Sequence, residues 1–232
     1  MKLNKQQINR LYEFTRQHYV EWYDLQTELV DHLANSIETQ WQENPKIDFE
    51  DALQIEFKKF GVFGFMDVVE KRQAALGKKY NKLIWKHFKA FFTIPKIFLT
   101  ITLVFGLFWL FKLVFFYEIF TVAIIVIFFL TIVALIFERK KFKKRTKKTG
   151  KKWMFEEIIS GYGSFSAILM LPIHVFNGFS NRIDTLPNDY VLFGISLILV
   201  ALFLSSYIVI VIIPSKAEDY LKETYPEYGF VE

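Results

Sequence analysis

The stretch ERKKFKKRTKKTGKKW, residues 138–153, decides how this chain is laid out. Ten of its sixteen residues are Lys or Arg, and long apolar runs lie on both sides of it, at 119–137 and 158–179. Short segments rich in Lys and Arg stay on the cytoplasmic side when neighbouring apolar segments insert into a membrane. The sequence therefore predicts a polybasic cytoplasmic loop between two membrane spans, and this loop fixes the orientation of the other spans.

The composition favours a polar part joined to a membrane part. Of the 232 residues, 53% are hydrophobic and 23% are charged, a mixture that indicates charge-poor spans beside a charged domain. The chain has no Cys, which excludes disulfides and thiolate metal sites. The first residues, MKLNKQQINRLYEF, lack an apolar stretch of signal-peptide length. We therefore expect the N-terminus to remain in the cytoplasm.

Charge is divided unevenly along the chain. Residues 1–70 carry seven basic and thirteen acidic side chains, whereas residues 71–96 carry eight basic and no acidic ones. The positive excess lies beside apolar runs, where anionic lipid headgroups are nearer partners than nucleic acid. Anionic lipid and the acidic domain can then compete for the basic segments; the alternative is that the loop only fixes the topology. The loop side chains expected to face lipid are Lys140, Lys141, Lys143, Lys144, Arg145, Lys147 and Lys148.

Residues 1–70 predict a cytosolic domain of short amphipathic helices. In the second helix, at about 21–42, apolar residues at positions 22, 25, 29, 33, 37 and 41 share one face. The polar residues of the opposite face include Asp24, Glu28 and Asp31. Asp48 is a good N-cap for the next helix, and Gly61 is a good C-terminal stop.

The polar face of the second helix also allows a metal site. Glu28 and His32 are four residues apart, with Asp31 and Asn35 beside them and Asp24 one turn earlier. Such a face holds a divalent cation only if another helix supplies further ligands. A solvated face with a local Glu–His contact is the preferred interpretation, so we expect no metal site.

Motifs for catalysis are also missing from the sequence. No HExxH, Walker or GxGxxG motif and no serine-triad spacing occurs. We therefore expect no cofactor, no catalytic residues and no enzymatic activity.

Residues 71–96 predict a basic amphipathic connecting helix. Its apolar stripe includes Leu76, Tyr80 and Ile84, and its other side is rich in lysine. A helix of this kind can lie in the headgroup layer next to a span. It can equally pack its apolar face on residues 1–60. One part of the helix can also lie in the headgroup layer while another part packs on these residues.

The apolar runs predict a membrane domain at 97–213 with spans at about 97–116, 119–137, 158–179 and 191–213, followed by a cytosolic tail at 214–232. Three polar groups within or near the spans are functional candidates, because ionisable groups are costly in lipid. Lys112 falls in the last turn of the first span. His174 lies about 24 Å along the third span, near its outer end, with Asn177 beyond it.

One resemblance reaches specific residues. The stretches ELVDHLANSIETQW, residues 28–41, and KIDFEDALQIEFKKFG, residues 46–61, resemble the HAAS or permease-prefix type of domain. The matching elements are an acidic helix, an acidic cap at Asp48, Ala52 in an amphipathic helix, and the terminal Gly61. The resemblance implies a cytosolic regulatory or interaction domain that precedes the spans of a bacterial integral membrane protein.

The sequence thus predicts an all-α protein of the bacterial cytoplasmic membrane, with both termini inside. The division of charge favours a non-enzymatic regulatory or partner-binding role, in which the cytosolic module binds a cytosolic or membrane protein and the bundle is its anchor. The alternative is a small transporter or channel component that uses Lys112, His174 and Asn177. These two functions differ in whether the three polar groups converge on a water-accessible cavity.

Overall fold

A computed structural model describes residues 2–113, 116–161 and 188–230. Every regular element in these ranges is helical, and no strand occurs in them. The predicted all-α class is therefore confirmed for the described part of the chain.

Three helices occupy the N-terminal part of the chain: α1 at Lys5–Gln17, α2 at Tyr23–Glu43 and α3 at Phe49–Lys58. The Asp48 side chain caps α3 by accepting a hydrogen bond from the Glu50 N–H, and Gly61 adopts the positive φ that favours glycine. The predicted apolar face of α2 is buried in the core, where Leu25, Leu33 and Ile37 have no exposed surface. The expected helices and caps are confirmed.

The long helix α4, Met66–Ala90, contains most of the predicted connecting segment. The helix packs mainly on two later elements, the helix Met154–Ser160 and the turn Ile208–Ile212, rather than on α1–α3. Leu76 and Tyr80 are among its buried residues. At the far end of α4, Trp85 is 57% exposed and stacks on Phe88. The helix is thus packed against the protein up to Tyr80 and exposes the Trp85 ring nearer its C-terminal end.

Helix α5 runs over Lys96–Leu113 and helix α6 over Phe116–Thr149. The polybasic segment was predicted as a loop, but it is the last three turns of α6. The run 138–149 contains no Gly or Pro, and the helix ends only before Gly150, which has a φ of 68°. The positive-inside pattern predicts which side a segment occupies and gives no information on its conformation, which is why the helix was missed.

The short helix α7, Met154–Ser160, follows the basic run, and α8 occupies Asp189–Tyr207. Helix α8 continues through a π-helical turn at Ile208–Ile212 to Ser215, with Pro214 in its last turn. The C-terminal region contains α9, Ala217–Thr224, and a 3-10 turn at Pro226–Phe230.

Two helical stretches in the described ranges are long and apolar enough to cross a membrane, Thr121–Thr149 and Asp189–Ser215. Helix α5, at the position of the first predicted span, packs on α8 around the buried ring of Phe111. Most of the third predicted span lies outside the described residues, so the four-span arrangement stays a prediction.

Candidate functional site at the junction of α2 and α7

The starts of α2 and α7 meet and cap each other. The Tyr23 N–H, in the first turn of α2, donates to the Lys152 carbonyl over 2.7 Å. In return, the Met154 N–H, in the first turn of α7, donates to Asp24 Oδ1 over 3.2 Å. Neither N-cap residue, Trp22 or Trp153, caps its own helix through its side chain. Helix starts leave N–H groups without acceptors. Here the residues at the start of each helix supply a hydrogen-bond acceptor for an N–H group of the other helix.

A buried aromatic ring holds this contact together. Trp153 is 2% exposed, and its ring lies 5.2 Å from Tyr23, 4.8 Å from Tyr225 and 5.3 Å from Tyr228, measured between centroids. The rings come from α2 and from the C-terminal tail, so one side chain joins three separate parts of the chain. We call the group Trp22, Asp24, Trp153, Tyr225 and Tyr228, with the backbone around Met154, the α2–α7 junction.

Charged groups line the exposed edge of the junction. Lys152 Nζ lies 2.7 Å from Glu21 and 3.1 Å from Glu157, and the Trp22 indole N–H donates to Glu157 over 2.6 Å. Burial of the Lys152 ammonium lowers its pKa, but the two carboxylates outweigh this effect, so the pKa lies above its usual value. The amine therefore stays charged and joins α2 to α7.

Asp24 is the buried carboxylate of the junction. Its residue is 6% exposed, and burial raises the pKa of its carboxyl group, although the Tyr225 hydroxyl and the Met154 N–H oppose the rise. Tyr225 accepts a hydrogen bond from the Phe155 N–H over 3.2 Å, and burial together with the Asp24 charge raises the pKa of its phenol. Asp24 was predicted on the solvated face of α2. This prediction was wrong, because α7 covers the start of that face.

A second acid, the half-buried Glu156, lies in the first turn of α7. Burial raises the pKa of Glu156, while the charge of Arg145, 3.8 Å away, lowers it. The Arg145 guanidinium also lies over the Tyr228 ring, 4.4 Å from its centroid. Arg145 was predicted to face lipid with its neighbours; its side chain is 33% exposed, and its guanidinium joins α6 to α7 and to the tail.

The remaining basic candidates of this region are solvent-exposed. They are Lys140, Lys141, Lys143, Lys144, Lys147 and Lys148. Among the described residues none of these six forms an ion pair within 4.0 Å. Their charge is therefore available to an external anion, as the lipid prediction requires.

The polar candidates of the spans are placed only in part. Lys112 pairs with Asp189 at the start of α8, with 2.7 Å between the charged atoms. Its amine also lies over the rings of Phe108 and Trp109. The side chains of Lys112 and Asp189 are 35% and 61% exposed, as expected of a pair at the end of the bundle. His174 and Asn177 lie outside the described residues.

The predicted metal face has other partners. Glu28 lies 3.7 Å from Arg72 of α4, and the His32 ring packs on Phe60 at 5.9 Å. No group of three His, Asp or Glu side chains in the described ranges is arranged to hold a metal ion.

The junction itself was not predicted from the sequence. Met154 is 130 positions from Asp24, and Tyr225 is 70 positions from Phe155. Amphipathic periodicity reports neighbours within one helix and carries no information about such distant partners. The clustered aromatic residues, WMF at 153–155 and YPEY at 225–228, are the only local signal.

Comparisons of the chain with protein-family models, curated proteins and solved structures gave no match. The resemblance of residues 28–61 to a HAAS or permease-prefix domain therefore stays a prediction.

Proposed function

We propose that the chain is a regulatory or partner-binding protein of the bacterial cytoplasmic membrane, without enzymatic activity. It has four spans and both termini in the cytoplasm, and residues 1–70 form a HAAS-like module that senses a partner or the membrane surface. The observation that carries the proposal is the mutual capping of α2 and α7. Helix α7 leads directly into the third predicted span, so a displacement of the module pulls on the membrane domain.

Three further contacts support this coupling. Lys152 ties Glu21 of the module to Glu157 of α7, and Arg145 joins the end of α6 to α7. The C-terminal tail closes the junction through Tyr225 and Tyr228. A signal that reaches α2 thus passes by direct contact to α7 and to the C-terminal tail, and through α7 to α6 and α9.

The coupling is tested by hydrogen exchange on the full chain in lipid nanodiscs. Asp24→Ala removes the acceptor for the Met154 N–H and should raise exchange in α7 and also in α9 and Ile213–Ser215, which pack against α7. Glu50→Gln is the matched control, because it removes an exposed ion pair with Arg10 inside the module. Faster exchange confined to α2 would contradict the proposed coupling.

A further inference from the structure

A cavity of about 300 Å³ lies between the basic end of α6, helix α7 and the start of α9. Its charged lining comes from Glu138, Lys141 and Arg145 of α6, Glu156 of α7 and Glu218 of α9. The volume is at the lower end of the range for ligand sites in proteins, a size that suits a small polar headgroup.

The position of this cavity follows from the two apolar helices. Glu138 comes directly after the apolar run 119–137, and Pro214, which also lines the cavity, ends α8. If α6 and α8 cross the membrane, as in the proposed function on which this inference rests, the cavity lies at the depth of the lipid headgroups.

A separate apolar groove lies between α6 and α8, and its last lining residue on α6, Phe137, directly precedes Glu138 of the cavity. This second space, about 340 Å³, is lined by Leu130 and Phe137 of α6 and by Phe203 and Val211 of α8. Phe137, Lys141 and Arg145 follow each other at intervals of four residues, which places them on one face of α6. A single face therefore changes from apolar to basic where the hydrocarbon core would end.

Among the described residues, the charges of the cavity leave Glu138 and Lys141 without a direct ion pair, although the charge of Lys141 acts on Glu156 at longer range. Arg145 pairs with Glu156 at 3.8 Å, and Glu218 pairs with Lys222 at 2.6 Å. Within the described residues, Glu138 and Lys141 form no ion pair within 4.0 Å. A carboxylate and an ammonium group three residues apart on a helix complement a ligand that carries both a cation and an anion.

We propose that this cavity binds the headgroup of an aminophospholipid of the phosphatidylethanolamine class. Glu138 accepts hydrogen bonds from the primary ammonium group, Lys141 neutralises the phosphate, and an acyl chain occupies the groove between α6 and α8. A choline headgroup has no N–H to donate, and a glycerol headgroup offers no cation to Glu138. The site therefore selects for the primary amine.

The test is native mass spectrometry of the full chain in detergent, incubated with equal amounts of phosphatidylethanolamine, phosphatidylcholine and phosphatidylglycerol that share the same acyl chains. We expect phosphatidylethanolamine to be retained about tenfold over phosphatidylcholine. Glu138→Gln should abolish this preference, and Lys141→Gln should weaken retention of all three lipids. Lys148→Gln, an exposed lysine of the same helix outside the cavity, is the matched control and should change nothing. Glu138 is only half-buried and Lys141 is exposed, so both variants should fold.

Three results would overturn the proposal. Equal retention of the ethanolamine and choline lipids would show that Glu138 does not select the primary ammonium group. Preferred retention of phosphatidylglycerol, sensitive to Lys141→Gln alone, would indicate an anion site. Displacement of the lipid by an equal concentration of free glycerophosphoethanolamine would indicate a soluble ligand. Lipid binding in detergent does not depend on the orientation of the chain in a membrane. Cysteine labelling in cells tests that orientation separately.

Discussion

The Met154 N–H donates a hydrogen bond to Asp24 Oδ1 over 3.2 Å, although the two residues are 130 positions apart. This bond places a carboxylate of the N-terminal domain at the start of the helix that enters the third predicted span. Negative charge at a helix start is favourable, because the first N–H groups of a helix point outward. Burial of the same carboxylate is unfavourable, so the contact depends on pH.

The pH dependence has a definite sign. The pKa of Asp24 is raised in the folded protein by burial, so the folded state binds a proton more readily than the unfolded chain does. Protonated Asp24 therefore stabilises the folded state. This contribution is fully present below the unfolded pKa of about 3.9 and is lost as pH rises through the folded pKa. Asp24→Asn, which cannot ionise, should become more stable relative to the wild type as pH increases from 4 to 7.

Thermal unfolding followed by tryptophan fluorescence at several pH values checks this prediction. Asp31→Asn, an exposed residue of the same helix, is the control and should keep the pH profile of the wild type. If Asp24→Asn also keeps the pH profile of the wild type, then the pKa of Asp24 does not differ between the folded and the unfolded state.

Removal of the Trp153 ring should loosen the packing between α2, α7 and the C-terminal tail. Trp153→Ala deletes a side chain that is 2% exposed, and truncation of a buried Trp typically costs about 3–5 kcal/mol. Trp85→Ala, at a position that is 57% exposed, should cost about 0.5 kcal/mol or less. Hydrogen exchange should rise in α2, α7 and the tail of the first variant only. Equal melting temperatures for the two variants would mean that the junction contributes little to folding.

The membrane topology can be tested by cysteine labelling, because the chain has no native Cys. Thr146→Cys should be shielded from an impermeant thiol reagent in intact cells, whereas Asn181→Cys should react. The Thr146 hydroxyl is buried, so exposed Lys148→Cys is a better inner position and should react only after permeabilisation. Labelling of Lys148→Cys in intact cells would overturn the predicted orientation.

The helical form of the basic segment predicts a graded contact with lipid. At about 1.5 Å per residue, Lys140 lies about 5 Å beyond Phe137, Lys143 about 9 Å, and Lys147 and Lys148 about 15 Å or more. The attraction to anionic lipid falls off within a Debye length of about 8–10 Å. The double variant Lys140→Gln/Lys143→Gln should therefore weaken association of spin-labelled phosphatidylglycerol several-fold, and Lys147→Gln/Lys148→Gln should not. Equal losses would show that the segment lies flat on the membrane.

Competition between lipid and the acidic domain should act through few side chains. Among the described residues of the two basic segments, only Lys152 and Arg72 form ion pairs within 4.0 Å with residues 1–70, at Glu21 and Glu28. An increase in anionic lipid at low salt should raise hydrogen exchange in α2 of the wild type, and Lys152→Gln should reduce this response. Unchanged exchange across the lipid series would leave the basic segment with its topological role alone.

The extent to which the sequence predicted these features depends on the range of each interaction. The buried stripe of α2 and the Asp48 cap were predicted correctly, since each depends on residues within a few positions. Asp24 was misplaced because a distant helix covers it. The contacts of Arg145 and Lys152 were not predicted, because a run of like charges predicts average exposure and does not identify the members that pair with distant acids.

The junction also sets an order of assembly. Asp24 and Trp22 are made first, α7 follows after two predicted spans, and Tyr225 and Tyr228 are made only after the last predicted span. A growing chain therefore exposes the Trp153 ring until translation has passed all of the apolar helices. Closure of this contact therefore requires that every predicted span has been synthesised, and a chain that stops before Tyr225 lacks two of the rings that cover Trp153.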